Sequence, residues 1–164
     1  MDIDTLLLAP SDFIPNHPHF PLILYKNLGK EADSSFFEET FARNEWTGIW
    51  RNGVYSYHHY HSGAHEVLGV GRGSAKLQLG GPDGPIVQVK QGECLLLPAG
   101  TGHKRLESSQ DFQVVGAYPK GQKVDTQSEA PTDAMLEKIR SLPVPDTDPL
   151  LGKVGGVVSL WQQE

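Results

Sequence analysis

A chain of 164 residues with 14 Lys plus Arg against 20 Asp plus Glu carries a formal charge of −6, and it holds no basic cluster able to neutralise a run of phosphates, so nucleic acid is not an expected partner. With 18 Gly and 12 Pro, the composition favours turns and short strands over long helices and argues against an α-helical bundle. The length suits one domain, residues 1–164, rather than several.

The N-terminal MDIDTLLLAPSDF has no basic region and only three consecutive Leu, so it reads as neither a secretory signal nor a transit peptide. No apolar run approaches a membrane span, and the expected location is cytoplasmic without membrane contact. An N-terminal arm, residues 1–44, includes the Pro-broken PNHPHFP, whose His17 and His19 are expected in a surface or interface role. The apolar Pro21 to Tyr25 stretch that follows is a candidate exchanged or edge strand of a homodimer. Ser35 and Glu38 have the spacing of a capping box, predicting a helix to about Asn44 with Phe36, Phe37 and Phe41 on its apolar stripe.

From about residue 45 to 120 the apolar period changes to two. The expected strands are Gly48 to Trp50, Val54 to His61, Glu66 to Val70, Lys76 to Leu79, Ile86 to Val89, Cys94 to Leu97 and Phe112 to Tyr118. Turn residues such as Asn52-Gly53, Ser62-Gly63 and Gln91-Gly92 separate them, and the pattern predicts an all-β antiparallel sandwich or small barrel. Leu68, Val70, Leu77, Leu79, Cys94 and Leu96 are expected as barrel lining or core. The lone Cys94 has no disulfide partner and fits a buried strand in a reducing compartment. In the tail, residues 121–164, a helix is predicted from about Thr132 to Ser141, ended by Pro143. An extended connector follows from Leu142 to Pro149, and Gly156 to Trp161 reads as a last strand returning to the sheet.

Five of the seven histidines, His58, His59, His61, His65 and His103, lie in the strand-rich region. On an extended chain His59 and His61 share a face with Tyr55 and Tyr57, while His58 points away. Glu66, after the Ser62-Gly63 turn, can fold back beside this pair, and His103 can arrive from another strand. Three neutral imidazoles with one carboxylate suit a single divalent transition metal ion (Fe, Mn, Ni, Co, Cu or Zn) better than Ca or Mg. Four protein ligands on an octahedral ion leave two positions open. His65 and Glu66 face opposite ways on a strand, so only one of them joins the inward set unless a bulge intervenes. Arg105 shares the parity of His103 and is expected to point into the barrel, where a guanidinium suits a substrate carboxylate or phosphate, or to pair with Glu107. Tyr55 and Tyr57 are expected to line the cavity.

These residues carry a resemblance to the cupin superfamily. Its first motif, G-x5-H-x-H-x3,4-E-x6-G, is matched at every spacing by Gly53, His59, His61, Glu66 and Gly73. Its second, G-x5-P-x-G-x2-H-x3-N, is matched by Gly92, Pro98, Gly100 and His103, with Glu107 in place of the final Asn. The resemblance implies a compact single-domain cupin: a jelly-roll (double-stranded β-helix) barrel with one or two short peripheral helices, a core over about 45–120, and a metal held by His59, His61, Glu66 and His103. It implies a metal-dependent enzyme acting on a small-molecule substrate, with oxygenase chemistry first and isomerase or lyase chemistry second, or else a binding or sensing module. Glu66, Tyr57 and Arg105 are the expected catalytic residues, and a homodimer is the expected assembly.

Overall fold

Side chains alternate across a strand, and in this protein both faces of the main sheet are covered. The computed structural model describes residues 1–162. Its elements run β1 (Asp2–Leu6), β2 (Leu22–Lys26), α1 (Ser34–Arg43), β3 (Trp46–Asn52), β4 (Glu66–Arg72), β5 (Ser74–Leu79), β6 (Ile86–Lys90), β7 (Glu93–Leu97), β8 (His103–Ser108), β9 (Gln113–Pro119), α2 (Asp133–Ser141) and α3 (Val157–Leu160). Six strands form an antiparallel sheet in the order β1-β2-β7-β4-β9-β3, and three form a smaller one in the order β6-β5-β8. The fold is an all-β barrel with short peripheral helices.

Leu22 and Leu24 of β2, Leu68 and Val70 of β4, Leu95 and Leu97 of β7 and Val114 of β9 turn inward against Leu77, Leu79 and Val89 of the smaller sheet. The alternate residues Ile23, Tyr25, Val67, Cys94, Leu96, Val115 and Ala117 turn outward, where Phe37 and Phe41 of α1, Phe20, Trp46, Val157 and Trp161 cover them. Cys94 and Leu96 are thus core residues outside the barrel, and Cys94 is free and buried. Gly69 makes the close seating of α1 possible: a Cβ there would lie 2.4 Å from Phe37 Cγ.

Several sequence expectations are corrected. The first helix is capped by Asp33, whose carboxylate accepts the Phe36 N–H at 2.9 Å, and Glu38 instead forms a two-pronged pair with Arg51. β2 is no edge strand, because it is hydrogen-bonded to β1 on one side and β7 on the other. β1 itself, with its exposed acids, carries no strand signature in the sequence. His17 is buried, stacked on Phe20 at 4.4 Å, with its Nδ1 accepting the Phe20 N–H at 2.9 Å. Residues 54–61 form no continuous strand; they touch their neighbours through isolated bridges at His59–His103 and Tyr60–Gln127.

The expected final strand is the helical turn α3. Gly155 and Gly156 enter it in the left-handed region, and Asp148 fixes it there. The buried Asp148 carboxylate accepts N–H groups from Leu150, Leu151 and Val157 at 2.8, 2.9 and 2.9 Å and the Tyr25 hydroxyl at 2.5 Å. Trp161 then stacks on Phe20 and donates its indole N–H to Pro21 O at 2.8 Å. The second helix begins after Thr132, whose side chain caps it, and ends before Pro143 as expected. Among the described residues no helix is long and apolar enough to cross a membrane.

Two outcomes follow from this packing. Gly69→Ala forces α1 off the sheet and should lower stability by about 1–3 kcal/mol, read as a fall in thermal midpoint. Burial, and then the charge of His19, hold His17 down at about 4 against an ordinary 6.5. The unfolded chain therefore takes up a proton below 6.5 that folded His17 refuses until about 4, so stability falls as pH drops through that window. His17→Gln should flatten the fall in urea midpoint measured between those two pH values.

Candidate metal centre

The bridge between His59 and His103 sets the site. The His103 N–H donates to His59 O at 3.0 Å and the His59 N–H to His103 O at 3.3 Å, so the two rings lie 4.0 Å apart. His61 closes the group, its ring 5.8 Å from His59 and 5.2 Å from His103. The turn before β8 is locked to it through Gly100, left-handed at φ +88°, whose N–H donates to His61 O at 2.7 Å.

Each of the three rings is held from behind by a backbone carbonyl. Nδ1 of His59 meets Tyr57 O at 2.9 Å, Nδ1 of His103 meets Thr101 O at 3.1 Å, and Nδ1 of His61 meets Asp125 O. A carbonyl only accepts, so each Nδ1 carries a proton and, in the neutral ring, each Nε2 keeps its lone pair. One nitrogen from each of the three buried rings lies within 4.8 Å of the others. Asp125 anchors the tail segment that supplies the third carbonyl: its carboxylate accepts Ser62 N–H at 2.8 Å and Gly63 N–H at 2.7 Å, together with the Ser62 hydroxyl.

Glu66 opens β4 with its carboxylate 3.1 Å from His61 Nε2 and 3.4 Å from His103 Nε2, and it is only 2% exposed. Burial alone would push this carboxyl upward, but the charges and hydrogen bonds of His61 and His103 outweigh it and hold it well below the usual carboxylate range. His61 shows the converse balance: burial lowers it, and Glu66 outweighs that and raises it. Burial, then His103, holds His59 at about 3, so its ring is neutral at ordinary pH. When the rings are neutral, their Nε2 lone pairs face the carboxylate across 3.1–3.4 Å and repel it, and either a proton on Nε2 or a metal ion among the donors removes that repulsion. This donor set fits a divalent transition metal of the Fe, Mn, Co, Ni, Cu or Zn group.

The four side chains stand at the floor of a cavity of about 360 Å³, open on one side and walled by Trp50, Val54, Tyr55, Leu68, Arg105 and Tyr118. Arg105 reaches the wall as its parity predicts, with Nε donating to Val54 O at 3.1 Å. Glu107 does not pair with it and instead meets Lys76 at 3.0 Å. Tyr57 lies outside the lining residues, 46% exposed and stacked on Tyr55, and it reaches the site through the carbonyl that holds His59. His65 faces away from Glu66; its Nδ1 accepts the Ala99 N–H and its Nε2 meets Pro143 O, so both nitrogens are used in the packing of the tail.

Three neighbours of the site escape the sequence reading. Trp50 donates its indole N–H to the Tyr118 hydroxyl at 2.7 Å, and burial together with the Glu66 charge pushes that phenol well above its ordinary range. Both residues lie in expected strands, and their shared inward parity is the signal that could have found them. Asp125 sits in an irregular stretch with no motif around it, and no spacing pointed to it.

An antiparallel two-sheet barrel that gathers His59, His61, Glu66 and His103 from both motifs at one end of its interior has the architecture that the cupin resemblance implies. No protein-family model matches the chain. It is 41% identical over 150 residues, 90% of each chain, to the uncharacterized protein YjlB of Bacillus subtilis (strain 168), and it belongs to that protein's family. Among solved structures it is similar to a DUF861 family protein of Thermotoga maritima at 18% identity, covering 58% of this chain and 96% of that one, with a TM-score of 0.37. An acireductone dioxygenase of Bacillus anthracis, with a cadmium ion in its active centre, is 16% identical over 66% of this chain and 79% of its own, with a TM-score of 0.40. An oxalate decarboxylase of Bacillus subtilis is 17% identical over 74% of this chain and 30% of its own, with a TM-score of 0.38.

Asp125→Ala frees the carbonyl that orients His61 without removing a ligand. It should weaken Co(II) or Zn(II) binding by about 10- to 100-fold at unchanged stoichiometry, measured by competition with a chelating dye.

Proposed function

We propose that this cupin is a metal-dependent enzyme acting on a small organic molecule, with oxygenase-type chemistry at His59, His61, Glu66 and His103. The observation that carries the reading is the placement of three inward Nε2 lone pairs and a buried carboxylate on the floor of an open cavity. A structural metal site is closed by protein on all sides, whereas a working one keeps room for substrate. When bound, an Fe(II)-type ion would supply redox chemistry toward dioxygen and polarise a substrate oxygen.

The chain's own residues divide the remaining work. His59, His61 and His103 hold the ion, their backbone carbonyl clamps keeping the rings aimed. Glu66 completes the ligand set and is placed to accept a proton at its Oε1. Trp50 holds the Tyr118 oxygen by donating to it, which leaves the Tyr118 proton for Glu66 or for substrate. Leu68 and the aromatic wall keep bulk water from the far side of the cavity. Arg105 orients substrate, and Tyr57 takes its part from the rim, through His59. A homodimer belongs to the same proposal; with β2 paired on both sides, the free edges of the larger sheet are β1 and β3.

Chelator-free protein should carry about one transition metal ion per chain, and His59→Ala should lose it. Loaded anaerobically with Fe(II) and offered thiols, diketones and catechols, the wild type should consume oxygen when air is admitted and the variant should not. Turnover of sugars or keto acids under Zn(II) or Mn(II) without oxygen would replace this reading with an isomerase or lyase. A ligand bound without turnover would replace it with a sensing module.

A further inference from the structure

We infer that the cavity takes a small organic carboxylate whose anionic group is gripped by Arg105. This deepens the metal-enzyme reading above by naming its substrate class, and it rests on different atoms. Arg105 is the one permanent cation among the residues lining the cavity. Its Nε is tied to Val54 O at 3.1 Å, which pins the guanidinium plane on the wall. Among the described residues no carboxylate lies within 4 Å of that guanidinium.

Glu107 and Glu66 are both engaged elsewhere. Glu107, two positions along β8, meets Lys76 at 3.0 Å. Glu66, the sole acid of the lining, is turned to His61 and His103 at 3.1 and 3.4 Å. A half-buried guanidinium with free terminal N–H groups beside an open cavity is an anion receptor awaiting its anion.

The wall decides which anion. A phosphate dianion is ordinarily held by several backbone N–H groups or a second side-chain cation, and Arg105 is the one Lys or Arg on this cavity's wall. A planar carboxylate needs only the one fork. Trp50, Tyr55, Tyr118 and Leu68 supply apolar surface for the short carbon skeleton attached to it. His103 and Arg105 stand two residues apart on one face of β8, roughly 7 Å along the strand, so a skeleton of a few carbons reaches from the guanidinium to the histidine cluster. Hydroxy and keto acids have that form. Arg105 offers an anion one local cation although the chain as a whole carries −6.

The test is calorimetric titration of lactate, pyruvate and benzoate against lactamide, pyruvamide and benzamide. It is run on chelator-treated protein and again after Zn(II) loading, so the readout is binding and not turnover. The acids should bind about ten- to hundredfold more tightly than the amides, the range for a hydrogen bond to a charged group. Arg105→Gln should abolish the preference, and Arg105→Lys should restore part of it. Zn(II) stoichiometry and thermal midpoint, measured on the same samples, show whether the variants are folded.

Equal affinity for acids and amides, no acid binding at all, or an acid preference that survives Arg105→Gln in folded protein would each overturn the inference. The two readings fail separately. Acid binding lost with Arg105 in protein that takes up no metal would sink the metal centre and leave the carboxylate site standing; stoichiometric metal without acid preference would do the reverse.

Discussion

A carboxylate sealed from water is unstable as an anion unless positive charge or hydrogen-bond donors surround it. Glu66 is sealed in this way, and what faces it is two imidazoles whose protons are committed to carbonyls behind them. The barrel end is organised round that tension. The carbonyl clamps fix the tautomers, the tautomers aim the lone pairs, and the aimed lone pairs together with Glu66 define a position where a cation is favourable. The carboxylate and the imidazoles act on one another directly: Glu66 raises His61, and His61 and His103 lower Glu66.

Much of this was legible in the sequence because cupin motif spacing encodes backbone geometry as well as chemistry. Gly100 is at its place because the turn before β8 needs a left-handed residue whose N–H reaches His61 O. The parity of β8 put Arg105 on the cavity wall correctly. Parity failed over residues 54–61, where the chain makes bridges and not a ladder, so Tyr57 left the cavity that an ideal strand would have given it. Parity also cannot tell which face of a doubly covered sheet is the barrel interior, and this is how Cys94 and Leu96 came to lie outside it. The final helical turn was hidden because its cause is tertiary: the Asp148 oxygen that accepts the Val157 N–H also accepts the hydroxyl of Tyr25 from the main sheet, 123 residues away in the chain. Buried His17 looked like a surface residue because two prolines flank it, although its ring stacks in the outer core.

The two cores differ in what they protect. The outer one, between the larger sheet and the helices, is closed by aromatic stacking of His17, Phe20 and Trp161. The inner one, between the sheets, is aliphatic at one end and gives way at the other to imidazole, carboxylate and guanidinium. Apolar residues below the site leave its polar groups no partners on that side, so their unspent hydrogen-bonding capacity is directed toward the opening.

The clamp on His61 comes from a residue 64 positions further along the chain. At a synthesis rate of 5–20 residues per second, His61 leaves the peptidyl-transferase centre about 3–13 s before Asp125 does. During that interval the imidazole-rich segment of His58, His59, His61 and His65 lacks the Asp125 carbonyl, and until residue 103 is made it lacks the β8 histidine as well. Such a segment ranks metals by intrinsic affinity, with copper and zinc ahead of iron and manganese. The geometry that could distinguish one ion from another at this cluster is therefore completed only when the tail carrying Asp125 has been made.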